Sequence, residues 1–263
     1  MIQQHFINRA LEVIEKDDSI LGLTVGGSWL TNETDEYSDL DLVLVTKEKV
    51  SDDVAAMFSY AASFGKLLSA FTGEHVGEPR LLICLFDDPL LHVDIKFLTP
   101  AELNSRVEEP VILYDTNEHL KNILSNTNAE YPLTNFQWIE DRFWIWVHYA
   151  VTKIGRGELF EAFDFLSYIR IIVLGPLLQQ KNGHLPRGVR KVEMTLPSDD
   201  LNKLILTTAK YEQHSIIAAL EASVRLYREL RKDHFLNEIQ EQTQTELKTI
   251  EYLQLIKARK QEV

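Results

Sequence analysis

A single cysteine, Cys84, stands in the 263 residues of the chain. That excludes an internal disulfide and any cysteine-based zinc cluster, and it predicts a buried thiol in a reduced compartment. Long apolar runs are also missing: the longest, Ile171 to Leu178, is interrupted by Gly175-Pro176 and falls far short of a membrane span. No basic segment followed by an apolar run opens the sequence, so the expectation is a cytoplasmic protein without a membrane partner. Basic residues are few against acidic ones. With 27 Lys and Arg against 40 Asp and Glu, the formal charge is −13, a balance that repels nucleic acid and attracts Mg2+, cationic small molecules and basic partners. Common catalytic signatures are absent as well. The sequence Gly26-Gly27-Ser28-Trp29-Leu30 fails the Gly-x-Ser-x-Gly elbow at Leu30, and there is no Gly-x4-Gly-Lys-Ser/Thr loop and no His-Glu-x-x-His.

What the chain does have is apolar residues at 45%, of which aromatics make up 10% of the chain, enough for a packed core. Ile2 to Lys16 has helical spacing, and Ile20 to Val25 and Leu40 to Val45 read as strands. Ser28 is expected to cap a short helix, and Ser51-Asp52-Asp53 to cap a helix running from Val54 to about Phe71. Arg80 to Phe86 and Leu91 to Phe97 form a predicted hairpin around Asp87-Asp88-Pro89. Thr99-Pro100 starts a helix, and Val111 to Tyr114 is a last short strand. From Thr134 the pattern is helical: Phe136 to Lys153, Glu158 to Gln180, then stretches near 198 to 210, 213 to 233 and 238 to 260. Trp138, Trp144 and Trp146 read as core, and the basic loop from Lys181 to Lys191 as solvated. The fold class is therefore α+β: a first domain, 1–130, with a mixed sheet flanked by helices, and an all-α helical bundle, 131–263.

Chemistry concentrates at Gly26 to Val45. Asp39 and Asp41 are two apart at the start of an apolar β-run, so their side chains project to one face with Cα atoms about 6.5 to 7 Å apart. Two carboxylates at that spacing can share a small hard cation. Asp94 is another acid inside an apolar strand, Leu91-His92-Val93-Asp94-Ile95. If the two strands are neighbours, three carboxylates converge and can hold Mg2+ for an in-line displacement at phosphorus. Upstream, Gly26-Gly27-Ser28 offers backbone N–H groups to phosphate oxygens, with glycine allowing close approach.

The order Gly-Gly-Ser, a polar loop, Asp-x-Asp on a strand and a later strand acid resembles the nucleotidyltransferase superfamily that includes DNA polymerase beta. A stand-alone domain of that kind followed by a helical bundle is similar to the bacterial aminoglycoside and lincosamide nucleotidyltransferases. The resemblance is specific over about residues 20 to 98 and architectural from 134 onwards. It implies that residues 1–130 are catalytic and residues 131–263 bind the acceptor. It implies that Gly27 and Ser28 bind the nucleotide's phosphates, that Asp39 and Asp41 hold metal, and that Asp94 is a metal ligand or the base for the acceptor hydroxyl. In some relatives a helical-domain glutamate four residues ahead of a phosphate-binding lysine is the base. Lys153 matches that lysine, but Tyr149 occupies the glutamate's position. The base is then Asp94, or Glu158 or Glu161 from the next helix.

The expected activity is Mg2+-dependent transfer of AMP from ATP, or from another NTP, to a hydroxyl of a small acceptor, such as a cationic aminoglycoside. The competing reading is a nucleotide-binding or regulatory protein of the same fold with weak or lost catalysis, or one acting on a protein or RNA partner. Tyr149 and the Trp29-Leu30-Thr31-Asn32 loop favour the second; the three acids favour the first. Monomer and homodimer are both compatible with the sequence.

Overall fold

The computed structural model describes residues 1–259, divided into two compact units, Met1–Pro132 and Leu133–Val263. Residues 260–263, with which the last predicted helix and the second predicted domain end, lie outside the described residues.

In the first unit, helix α1 (Ile2–Ile14) buries Phe6, Ile7, Ala10 and Ile14 on one stripe. Strand β1 (Ile20–Val25) leads through Gly26 into a single 3-10 turn (Gly27–Thr31). That turn begins one residue ahead of the expected Ser28 cap, with no side-chain cap at all. β2 (Leu40–Thr46) follows, then α2 (Val54–Ser63), capped by Asp53 accepting from the N–H groups of Ala55 and Ala56. The expected helix to Phe71 is cut short. After Gly65, residues Lys66–Gly73 form strand β3, antiparallel to β4 (Glu78–Asp87). Four alanines between 55 and 62 support helix, but the period-two pattern beyond Gly65 is satisfied by pairing with β4, and tertiary pairing overrides local propensity. β5 (Leu91–Leu98) completes the hairpin across Asp87-Asp88-Pro89. A one-turn helix α3 (Pro100–Leu103) carries a full Thr99/Glu102 capping box. β6 (Val111–Asp115) and α4 (His119–Asn126) finish the unit.

The sheet order is β3-β4-β5-β2-β1-β6. β2 and β5 are parallel and the other pairings are antiparallel, which makes the sheet mixed. One face is sealed: Leu40, Leu42 and Leu44 of β2 and Val93, Ile95 and Phe97 of β5 pack with Phe6, Ile7 and Ile14 of α1 and with Met57 and Ala61 of α2. The other face is covered only toward the strand ends, where Leu21, Val45 and Leu98 pack with Leu103 of α3 and Leu120 of α4. The beginnings of β2 and β5 are left open on that face, and the acids sit there.

The second unit is helical throughout its described residues. α5 (Phe136–Arg156) starts at an Asn135 cap and stops at Gly157. The segment expected as one helix from Glu158 to Gln180 is α6 (Leu159–Ile169), a π-helical turn and α7 (Gly175–Lys181). A one-turn α8 (Val192–Thr195), α9 (Ser198–Ile205), α10 (Gln213–Leu230) and α11 (Thr243–Arg259) follow. Their core joins Phe143, Val147 and Ile154 of α5 with Leu166, Leu220, Tyr227 and Leu253. Of the three tryptophans expected in the core only Trp144 is buried. A polar pin runs through this core: the buried Glu140 carboxylate accepts from Trp144 Nε1, Tyr227 Oη, Arg231 Nη1 and the Gln242 backbone N–H.

Candidate active site

Asp41 lies beside Asp94 in the parallel β2/β5 ladder, with Leu40 beside Val93 and Leu42 beside Ile95. Laterally paired residues share a face and strands are spaced about 4.8 Å apart, so the two carboxylates are neighbours on the open side. Asp39 is one residue ahead of β2 and half-buried. The loop that delivers it is anchored by Gln3 of α1, whose buried side-chain amide donates to the Asp35 carbonyl at 2.9 Å and the Ser38 carbonyl at 2.8 Å. Burial raises the Asp94 pKa above the usual carboxylate value; His92 opposes that rise through charge and a hydrogen bond, and the Asp39 charge adds to it. His92 Nε2 stands 2.9 Å from Asp94 Oδ1.

The glycine turn is fitted against Asp41. The Gly26 N–H donates to the Asp41 carbonyl at 2.9 Å, and Gly27 has φ +61°. A Cβ on Gly27 would lie 2.0 Å from Asp41 Oδ2, so only glycine permits this approach. Ser28 follows, its hydroxyl without a hydrogen-bond partner among the described residues. The Gly27 N–H is engaged: it donates to Glu108 Oε1 at 2.9 Å. Glu108 comes from the loop ahead of β6 and was not anticipated. Nothing in Arg106-Val107-Glu108-Glu109-Pro110 distinguishes it from a solvated acid.

Along the sheet, the row through Asp41 and Asp94 continues to Ile83 of β4 and Phe71 of β3. Beside it run His92 and Leu85. Phe71 and Leu85 are exposed, so the open face passes from carboxylates to an apolar floor.

In the helical unit Lys153, Glu158 and Glu161 meet. Lys153 Nζ contacts Glu158 Oε2 at 2.7 Å and Glu161 Oε2 at 2.8 Å, and the Tyr149 hydroxyl donates to Glu161. The lysine's pKa is raised by these two carboxylates, chiefly through hydrogen bonding to Glu158. The predicted site residues thus fall into two groups: Gly27, Ser28, Asp39, Asp41 and Asp94 in one unit, and Lys153, Glu158 and Glu161 in the other.

Among the described residues no three His, Cys, Asp or Glu side chains form a ready metal cage. The donors present nevertheless suit Mg2+, which takes one or two carboxylates and completes its shell with phosphate oxygens and water.

A mixed sheet with paired strand acids beside a glycine turn, continued by a helical unit, is an α+β fold of the nucleotidyltransferase class. The family model described as streptomycin adenylyltransferase matches residues 2–255, and the chain belongs to that family. It is therefore an adenylyltransferase by family. No curated protein matches the chain. Among solved structures it is similar to an aminoglycoside 6-adenyltransferase from Bacillus subtilis, with 16% identity, 97% of this chain and 98% of that chain covered and a TM-score of 0.43. A nucleotidyltransferase-like protein from Exiguobacterium sibiricum 255-15 is similar at 12% identity, with 87% and 75% covered and a TM-score of 0.36. No helix among the described residues is long and apolar enough to cross a membrane.

Proposed function

We propose that the chain transfers AMP from ATP, with Mg2+, to a hydroxyl of a cationic small molecule of the aminoglycoside type. The observation that carries this reading is the side-by-side Asp41 and Asp94 on the open sheet face, with the Gly27 turn closed against Asp41. Residues 1–130 supply the reacting groups, and residues 131–263 supply the acceptor's binding surface.

Asp39, Asp41 and Asp94 would hold Mg2+, which when bound neutralises charge developing on the triphosphate and on the leaving pyrophosphate. Gly27 and the free Ser28 hydroxyl orient phosphate oxygens. Asp94, where it is not itself a ligand of the metal, takes the proton of the acceptor hydroxyl. That oxygen bonds to the α-phosphorus as the bond from phosphorus to the α,β-bridging oxygen breaks, and pyrophosphate departs. Lys153 is the candidate for a phosphate contact, with Glu158 and Glu161 as acceptor contacts or as the alternative base.

A second reading, nucleotide binding with weak catalysis, is favoured by two contacts: Glu108 occupies the Gly27 N–H, and Lys153 is already neutralised by two carboxylates. The deciding experiment incubates the protein with Mg2+, radiolabelled ATP and a panel of aminoglycosides and lincosamides. Labelled product that disappears in Asp39→Asn and Asp41→Asn supports transfer. ATP binding without transfer to any panel member supports the second reading.

A further inference from the structure

Strand β5 carries polar side chains at alternate positions, His92, Asp94 and Lys96, while Leu91, Val93, Ile95 and Phe97 between them are buried. Alternation puts the three polar groups on the open face. The two neighbours of Asp94 are engaged differently. Lys96 Nζ turns to Glu78 Oε2 at 2.6 Å, whereas His92 Nε2 meets Asp94 Oδ1 at 2.9 Å, the one hydrogen bond of its ring among the described residues. His92 pairs laterally with Leu85 of β4 on one side. On the other, one step back from the Leu40–Val93 pair of the parallel ladder, stands Asp39.

Packing does not account for this contact. The His92 side chain keeps 49% of its surface exposed against 23% for Asp94, so the imidazole fills no core. What the contact does is fix a torsion. The terminal torsion of an aspartate is broad and two-fold, so the carboxylate of Asp94 by itself would turn freely on the sheet face. With the carboxylate ionised, the Nε2–H of His92 donates, Oδ1 is held, and Oδ2 is left to the metal or to the acceptor hydroxyl. Outer partners of this kind touch neither substrate nor metal, and removing one costs about 10- to 100-fold in metal affinity or activity.

We propose that His92 is a positioning residue of the transfer site: it holds Asp94 by Oδ1 and so sets Oδ2 for its part in the reaction. The inference rests on the proposed function for the role of Asp94. It is independent of the acceptor's identity, because the bond lies within the chain.

The test compares His92→Gln with His92→Leu in the full-length protein. Glutamine places a donor nitrogen near the position of the imidazole Nε2, and leucine fills the place without a donor. Position 92 is exposed, so both variants fold, and urea midpoints equal to that of the wild type check this. Adenylyl transfer is read first. In His92→Leu kcat falls by about 10- to 100-fold with the KM for ATP unchanged, and His92→Gln retains most of it. An unchanged kcat in His92→Leu overturns the assignment, as does an equal loss in the two variants, since a merely structural role would not separate them. Binding of Mn2+ in the presence of α,β-methylene-ATP, read by the electron paramagnetic resonance of the free ion, needs no acceptor. If the wild type transfers AMP to no acceptor, the proposed function fails and this second readout decides. Affinity lowered by about tenfold in His92→Leu and kept in His92→Gln then upholds the positioning role, and any other pattern overturns it.

Discussion

Gly27→Ala separates the fold from the site. The substitution has two consequences of different kind. The φ of +61° is a left-handed conformation that costs a residue with a Cβ about 1–2 kcal/mol. The added Cβ would also lie 2.0 Å from Asp41 Oδ2, a distance no real contact sustains, and 3.1 Å from its Cγ. The colliding atom is the end of a side chain, so Asp41 can swing aside with little further loss of stability. Its carboxylate then leaves the place beside Asp94. A displacement of about 1 Å in a catalytic group costs on the order of a hundredfold in rate, so transfer falls by at least about that factor while the urea midpoint moves only modestly. Gly77→Ala is the matched control. Gly77 has φ +76° but nothing within 4 Å of an added Cβ, so it carries the dihedral cost without the collision. Both proteins are assayed by urea unfolding and by radiolabelled adenylyl transfer. Equal activity in the two variants refutes the argument, because the collision with Asp41 would then have no consequence.

Glu140→Ala leaves Tyr227 and Trp144 without their buried acceptor, while Arg231 keeps Glu246 at 2.8 Å, and lowers stability by about 1–3 kcal/mol in urea; a loss well below about 1 kcal/mol would place the network among interactions of surface strength. Arg80 and Lys96 hold the Glu78 carboxyl down at about 2, Arg80 first through its hydrogen bond. Since the folded pKa lies below the unfolded value of about 4.3, this group stabilises the fold above that pH and the contribution is lost as pH falls toward 2. Glu78→Gln should flatten stability against pH across that window, and an unchanged slope would contradict the assignment. Burial pushes the Cys84 thiol up to about 12, with the Asp94 charge adding to it. A disulfide reagent at pH 8 should leave native Cys84 unmodified and react once the chain is unfolded; prompt reaction in the native state would show that the strand opens. Glu108→Gln removes a negative charge from the Gly27 N–H and should lower the KM for ATP; a rise would identify Glu108 as a support of the turn.

How much of this was legible depends on the range of the interaction. Helix α1, strands β1 and β2 and the β4–β5 hairpin follow from periodicity over a few residues. β3 did not, because its pattern, Leu67 to Thr72, acquires meaning only when β4 pairs with it. Asp41 and Asp94 were each visible as acids within apolar strands. Their adjacency belongs to the order β5-β2 within the sheet, which no local window contains. Glu108 and Gln3 were illegible for the same reason. A glutamate in a charged loop and a glutamine on a first helix look like solvated residues until the chain brings them to Gly27 and to the Asp35–Ser38 loop.

The tryptophans of α5 carry a different lesson. Read by composition, Trp138, Trp144 and Trp146 form one apolar group, and one group suggests one core. Read by phase, they do not. At about 100° per residue, positions 138 and 146 fall on the same side of a helix and position 144 well round from it. Phase therefore predicts that one of the two sides is not the core. Trp144 packs against Phe143 and Tyr227, whereas Trp146 meets Trp138 and Tyr168 of α6 at the margin of the core. The residues that most resembled core filling by type are thus graded by spacing: Trp144 is buried within the core, Trp146 is half-buried against it, and Trp138 is exposed at its margin.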